Sequence, residues 1–258
     1  AGKQSQFDGL PNLVSTGINE ESCLTGKRSM DDLLEISRRH YIEEGTRKPD
    51  HYFKIYEDVL GPLRNEHIDI LELGIFSGAS VRIWYDFFPN ANIVALDVSQ
   101  DAVQTLSDFE DDDRVHAILG DQSDAGALAK CLSHTKSGVF DVIIDDASHI
   151  GSLSKASADY LLRNCLRSAG LYFVEDYGTG YIPDFPDGSE LPRNAPSKGF
   201  FGRKDEKKQF KSHQYGMVGW LKQLVDEIHI PVFHGPETDA LPIESIQFWS
   251  SIALIRKP

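Results

Sequence analysis

Four residues able to do chemistry close the stretch FDVIIDDASH: Asp145, Asp146, Ser148 and His149. The apolar, β-branched run Phe140 to Ile144 precedes them, so these groups stand where a buried strand ends. A second such end occurs at VEDY, where Glu175 and Asp176 follow the strand Gly170 to Val174. An imidazole exchanges its proton near neutral pH. Carboxylates gathered at one place repel one another unless a cation compensates. Oxygen ligands of this kind suit Mg²⁺, with Mn²⁺ or Ca²⁺ as alternatives. Taken alone, DDASH reads equally well as a helix cap beside a loop histidine.

Other strand ends are polar too. ELGIFSGAS, from Glu72 to Ser80, sets Gly74 and Gly78 before a helix start, with Ser77 and Ser80 alongside. Glycine there lets a ligand approach the backbone, and a helix N-terminus favours a negative group. The spacing is GxxxG with Phe76 between, not the GxGxxG of a pyrophosphate loop. IVALD ends in Asp97, the usual place of an acid that accepts from ribose hydroxyls. GDQS supplies Asp121 and Gln122, and Asp121 could accept from an exocyclic amine such as adenine's. Each acid also reads as an ordinary cap or turn residue. Three successive ends together suit a ribose-plus-adenine ligand that lacks a pyrophosphate.

The elements that must position these residues alternate. Strands are expected at 68–73, 92–97, 115–119, 140–144 and 170–174, with helices at 79–88, 102–109, 124–132 and 154–166 between and after them. Such alternation predicts a parallel sheet doubly wound by right-handed crossovers. Before it, SMDDLLEISRRHYIEE is helical with Ser29 as a cap, and a further helical face carries Tyr52, Ile55, Tyr56 and Val59. Residues 178–212 hold four prolines, several glycines and RKDEKK, and read as a lid-like insertion. A helix at 215–228 follows. Two last strands, 229–234 and 246–255, are expected to form a hairpin-like antiparallel edge.

The chain has 258 residues and a formal net charge of −14, which argues against nucleic acid or an anionic membrane as the main partner. Cys23, Cys131 and Cys165 are widely spaced and read as reduced thiols. No segment is apolar enough to span a bilayer, and no hydrophobic signal core opens the sequence, so a cytoplasmic location is expected. Residues 1–28 read as an irregular arm, suited to packing on a partner subunit in a homo-oligomer.

ELGIFSGAS, Asp97 and GDQS together resemble the cofactor site of class I S-adenosylmethionine-dependent methyltransferases. Adding GTRKPDHYFKIYEDVLGPLR, DDASH, VEDY and HQYGMVGWLKQLVDE, the chain looks like the metal-dependent sugar O-methyltransferases of the mycinamicin and macrocin type. The resemblance runs from about Asp50 to the C-terminus. It implies a seven-stranded, mostly parallel Rossmann-like sheet with an antiparallel C-terminal strand, as a domain over 50–258 behind an N-terminal arm and helix at 1–49. It implies S-adenosylmethionine as cofactor, with Glu72, Gly74, Ser77, Gly78, Ser80, Asp97, Asp121, Gln122 and Asp145 around it, and Thr46, Tyr52 and Tyr56 closing over the methionine end. It implies Mg²⁺, with Mn²⁺ possible, on Asp146, Glu175 and Asp176, and His149 as general base. Tyr177, His213, Gln214 and Tyr215 are expected near the acceptor, a small-molecule glycoside or saccharide. A catechol-type O-methyltransferase, a non-catalytic S-adenosylmethionine-binding partner and a nicotinamide dehydrogenase are the other readings. No lysine base is evident beside DDASH.

Overall fold

In a computed structural model the described residues are 32–41, 48–182, 184–189, 216–235 and 238–258. Seven strands form one sheet: β1 (Asp69–Leu73), β2 (Asn92–Asp97), β3 (Val115–Leu119), β4 (Phe140–Asp145), β5 (Leu166–Glu175), β6 (Ser245–Phe248) and β7 (Ile252–Arg256). The helices are α1 (Leu33–His40), α2 (Asp50–Leu60), α3 (Ala79–Phe87), α4 (Gln100–Gln104), α5 (Ala125–Leu132), α6 (Gly151–Asn164), α7 (Pro186–Ser189) and α8 (Gly216–His234). The strand order is β3-β2-β1-β4-β5-β7-β6. The first five strands pair in parallel, and β7 runs antiparallel to both β5 and β6.

This order follows from the sequence. Strands β1 and β4 are buried on both faces along almost their whole length, as a strand covered by helices above and below must be. Side chains alternate between two cores. Ile70, Val142, Ile144 and Phe173 face the layer containing α1, α2 and α3, while Leu71, Leu73, Ile143 and Val174 face α6 and α8. Trp84 and Trp220 are buried in these two cores.

The strand order reverses between β1 and β4, and a crevice opens at the carboxyl ends there. Register sets its walls. Leu73 pairs with Leu96 and Asp145, and Asp145 pairs with Val174. The next residues, Gly74, Asp146 and Glu175, therefore stand at one level.

Two expectations change at the C-terminal half. Residues 229–234 are helical, because α8 continues to His234 despite Pro231 and its β-branched neighbours. The stretch 246–255 turns back on itself around Ser251, with φ +61°, and provides both hairpin strands, so 229–234 has no strand to pair with. The start of the expected lid is ordered: Tyr177–Tyr181 is a 3₁₀ turn and Pro186–Ser189 a short helix. The rest of that insertion lies outside the described residues. Among the described residues no helix is long and apolar enough to cross a membrane.

Candidate active site

Two cavities of about 450 Å³ each lie side by side along the crevice. They share Gly74, Phe76, Asp146 and Ala147. The first also takes Asp97, Ser99, Asp121 and Gln122 from the ends of β2 and β3. The second takes Lys48, Ser77, Ser80, His149, Glu175 and Asp176.

The dividing wall depends on Gly74. Its φ is +97°, and a Cβ there would lie 2.2 Å from the carbonyl oxygen of Asp146. Only glycine permits this approach of the β1 loop to the β4 end. Gly78, also in the left-handed region, opens α3. Between them Phe76 sits at φ +50° and is exposed.

In the first cavity the acids are held by nearby backbone. Asp97 Oδ2 accepts from the N–H groups of Ile75 (2.8 Å) and Phe76 (3.2 Å), and Oδ1 accepts from Ser99 N–H (2.8 Å). Asp121 Oδ1 accepts from the N–H and hydroxyl of Ser123, which hold its carboxyl below the usual range. Gln122 is buried and joins two loops. It donates to Asp145 Oδ1 (3.1 Å) and accepts from Ser148 N–H (3.1 Å). Asp145 is fully enclosed beneath, with hydroxyls of Ser157 and Tyr172 beside Oδ2, and burial raises its pKa.

In the second cavity the acids are held by side chains from far away in sequence. Glu175 is buried and accepts from Tyr56 (2.6 Å) at Oε1 and from Lys48 (2.8 Å) at Oε2. Burial and Asp146 push its pKa up to about 8 against the opposing pull of Lys48. Asp146 Oδ2 is ion-paired with the same Lys48. Asp176, at φ +51°, accepts from Tyr52 (2.6 Å), which also donates to the Ser251 carbonyl. Helix α2 carries Tyr52 and Tyr56 one turn apart, so one face delivers both hydroxyls. Glu72 lies below on β1, fully buried beside Ser80 and Trp84, and burial raises its pKa to about 7. Ser80 is buried on the first turn of α3.

His149 completes the cluster. It adopts φ +53° on the loop between β4 and α6. Its Nε2 is 3.9 Å from both Asp146 Oδ1 and Asp176 Oδ2, and its Nδ1 is buried with no hydrogen-bond partner among the described residues. Asp146, His149 and Asp176 each offer one ligand atom within 4.8 Å of the others. Behind His149, Asp187 Oδ2 accepts from Gly151 N–H (2.8 Å) and Met217 N–H (2.7 Å), which anchors the starts of α6 and α8.

Of the residues singled out from sequence, Asp145, Asp146, His149, Glu175 and Asp176 come together at the β4 and β5 ends. Asp97, Asp121 and Gln122 come together at the β2 and β3 ends. Tyr52 meets Asp176. The Tyr177 hydroxyl donates to the Trp249 carbonyl (2.6 Å) at the hairpin turn. Thr46, His213, Gln214 and Tyr215 lie outside the described residues. Lys48 and Tyr56 were not assigned to the acidic cluster from sequence. Both stand in GTRKPDHYFKIYEDVLGPLR, a segment that carried the resemblance, but contacts spanning 98 to 127 residues leave no local signal.

The architecture is the class I methyltransferase fold, with Asp97, Asp121 and Gln122 at one end of the crevice and an acidic cluster at the other. No family model matches the chain. It resembles curated sugar O-methyltransferases. It is 32% identical over 187 residues to mycinamicin VI 2''-O-methyltransferase of Micromonospora griseorubida, covering 67% of this chain and 43% of that protein. It is 29% identical over 217 residues to 8-demethyl-8-(2-methoxy-alpha-L-rhamnosyl)-tetracenomycin-C 3'-O-methyltransferase of Streptomyces olivaceus, covering 81% of this chain and 48% of that one. The chain thus spans less than half the length of these relatives. Among solved structures it is similar to the mycinamycin-pathway methyltransferase MycE in complex with Mg, SAH and mycinamycin VI. The TM-score is 0.65 and the identity 26%, over 89% of this chain and 55% of that one.

Proposed function

We propose that this chain transfers a methyl group from S-adenosylmethionine to a sugar hydroxyl of a glycosylated natural product or saccharide, with the help of Mg²⁺ or Mn²⁺. The observation that carries the reading is the position of Asp146. It stands on the boundary of both cavities, so a reacting centre there would meet a nucleoside cofactor from one side and a metal-held acceptor from the other. The MycE complex, which contains Mg and SAH, supports the same pairing.

The donor set fits a hard divalent ion: carboxylates converge from β4 and β5 with open space before them. Asp146, Asp176 and Glu175 would hold it. A cation bound there supplies Lewis acidity, which lowers the pKa of a sugar hydroxyl. The chain does the rest. Asp97 presents acceptor oxygens toward ribose hydroxyls, while Asp121 and Gln122 line the base end. Gly74 and Ser77 border the methionine end. Tyr52 fixes Asp176. His149 takes the proton from the acceptor hydroxyl as general base, and the left-handed backbone at position 149 aims its ring into the cluster. Proximity then accounts for much of the rate, since the methyl group and oxygen must meet in line.

The test is methyl transfer from labelled S-adenosylmethionine to rhamnosylated or deoxyhexosylated polyketides. Labelled glycoside is expected, loss of product with EDTA, and recovery with Mg²⁺. Transfer that persists in EDTA would overturn the metal role. Absence of S-adenosylhomocysteine binding by calorimetry would overturn the methyltransferase reading itself.

A further inference from the structure

Lys48 lies immediately before α2, and only 9% of its side chain is exposed. Its ammonium donates to Glu175 Oε2 at 2.8 Å and is ion-paired with Asp146 Oδ2. These are two of the three carboxylates assigned above to the divalent ion. The other Glu175 oxygen is occupied by Tyr56. An ion that takes Glu175 therefore shares its oxygens with these donors, and Lys48 is the one whose charge opposes it.

Two cations cannot comfortably share these oxygens. Divalent ions of this class draw carboxylate oxygens to roughly 2.0–2.6 Å. An ammonium held on the same oxygens would then sit in direct repulsion with the ion, in a crevice where burial weakens screening. Glu175, for its part, cannot remain charged without a counter-ion, because it is 1% exposed. The cavity that the acids face offers the way out: Tyr41, Pro49 and Ser77 also line it, and a lysine stem can swing toward them off both carboxylates.

We propose that Lys48 is the resident counter-ion of the metal site, holding Asp146 and Glu175 until a divalent ion arrives and then being exchanged off both carboxylates toward the Tyr41 and Pro49 wall of the same cavity. This rests on the metal reading given under Proposed function. It assigns Lys48 a positioning role: it keeps the acidic crevice folded and its carboxylates aimed, and it sets how tightly the ion is held.

The experiment uses the whole chain and Mn²⁺ alone. Limiting acetic anhydride labels exposed amines, and mass spectrometry reads acetylation at Lys48 with and without Mn²⁺. In parallel, calorimetry measures Mn²⁺ binding to the wild type and to Lys48→Met. Lys48 labelling is expected to rise several-fold with Mn²⁺, and Lys48→Met to bind Mn²⁺ about tenfold more tightly. Mn²⁺ binding that leaves Lys48 labelling unchanged or lower would overturn the exchange while sparing the metal site. Absence of Mn²⁺ binding in wild type would overturn both. The labelling needs no variant, so it decides the matter even if Lys48→Met fails to fold.

Discussion

The two halves of the crevice are built by different means. At the β2 and β3 ends, Asp97 and Asp121 are satisfied by backbone N–H groups of their own loops or the adjacent one. At the β4 and β5 ends, Asp146, Glu175 and Asp176 are held by Lys48, Tyr52 and Tyr56 from the α2 segment. Backbone donors cost little to organise once the sheet has formed, and they keep Asp121 readily ionised. Burial beside Asp146 does the opposite, raising Glu175 to about 8 and Glu72 to about 7 against the pull of Lys48. One half is a rigid cradle. The other stores unfavourable charge that a cation can relieve.

The largest expected effect separates the halves by function. His149→Ala should lower methyl transfer by about 10²–10⁴-fold, the usual share of a general base. S-adenosylhomocysteine affinity, measured by calorimetry, should stay within about twofold, since its adenosine is read onto the other half. Loss of affinity in parallel with turnover would show that the two halves are not separable.

The next effect concerns stored charge. Glu72 holds its proton more tightly when folded, at about 7 against an ordinary 4.5. Its contribution therefore favours the fold below pH 4.5 and is lost as pH rises through 7. Glu72→Gln should escape this loss and be more stable than wild type above pH 7, by up to about 3 kcal/mol. Urea melts in EDTA at several pH values check it. Parallel pH profiles for the two proteins would show that Glu72 carries no such penalty.

A smaller effect isolates one long-range hydrogen bond. Tyr56→Phe leaves Glu175 Oε1 buried without a donor and should cost about 1–3 kcal/mol in urea melts. Affinity for S-adenosylhomocysteine should not move. A weakened cofactor site instead would mean that α2 braces both halves.

The same contrast explains what the sequence made legible. The strands of the parallel sheet announce themselves as short apolar runs between turn residues. Asp97, Asp121 and Gln122 sit one to three positions beyond such runs, so their placement follows from strand ends alone. DDASH and VEDY are readable for the same reason, once β4 and β5 are taken as neighbours. Lys48 is different. Nothing near it distinguishes it from Lys54, which α2 turns to solvent, and only the packing of α2 brings its ammonium to Glu175. At 229–234, β-branched residues and a proline suggest a strand, yet the helix begun at Gly216 carries through. Pairing decides there, because β7 already has β5 and β6 on its two sides.

The most direct test is an anomalous-difference map from crystals grown with Mn²⁺ and S-adenosylhomocysteine. The expected result is one Mn²⁺ peak bonded to Asp146, Glu175 and Asp176, with Lys48 moved off both carboxylates. The adenosine should lie between Asp97 and Gln122, and His149 Nε2 should face the open side of the ion. A Mn²⁺ peak elsewhere, or a nucleoside outside the β2 and β3 ends, would contradict the two-part site.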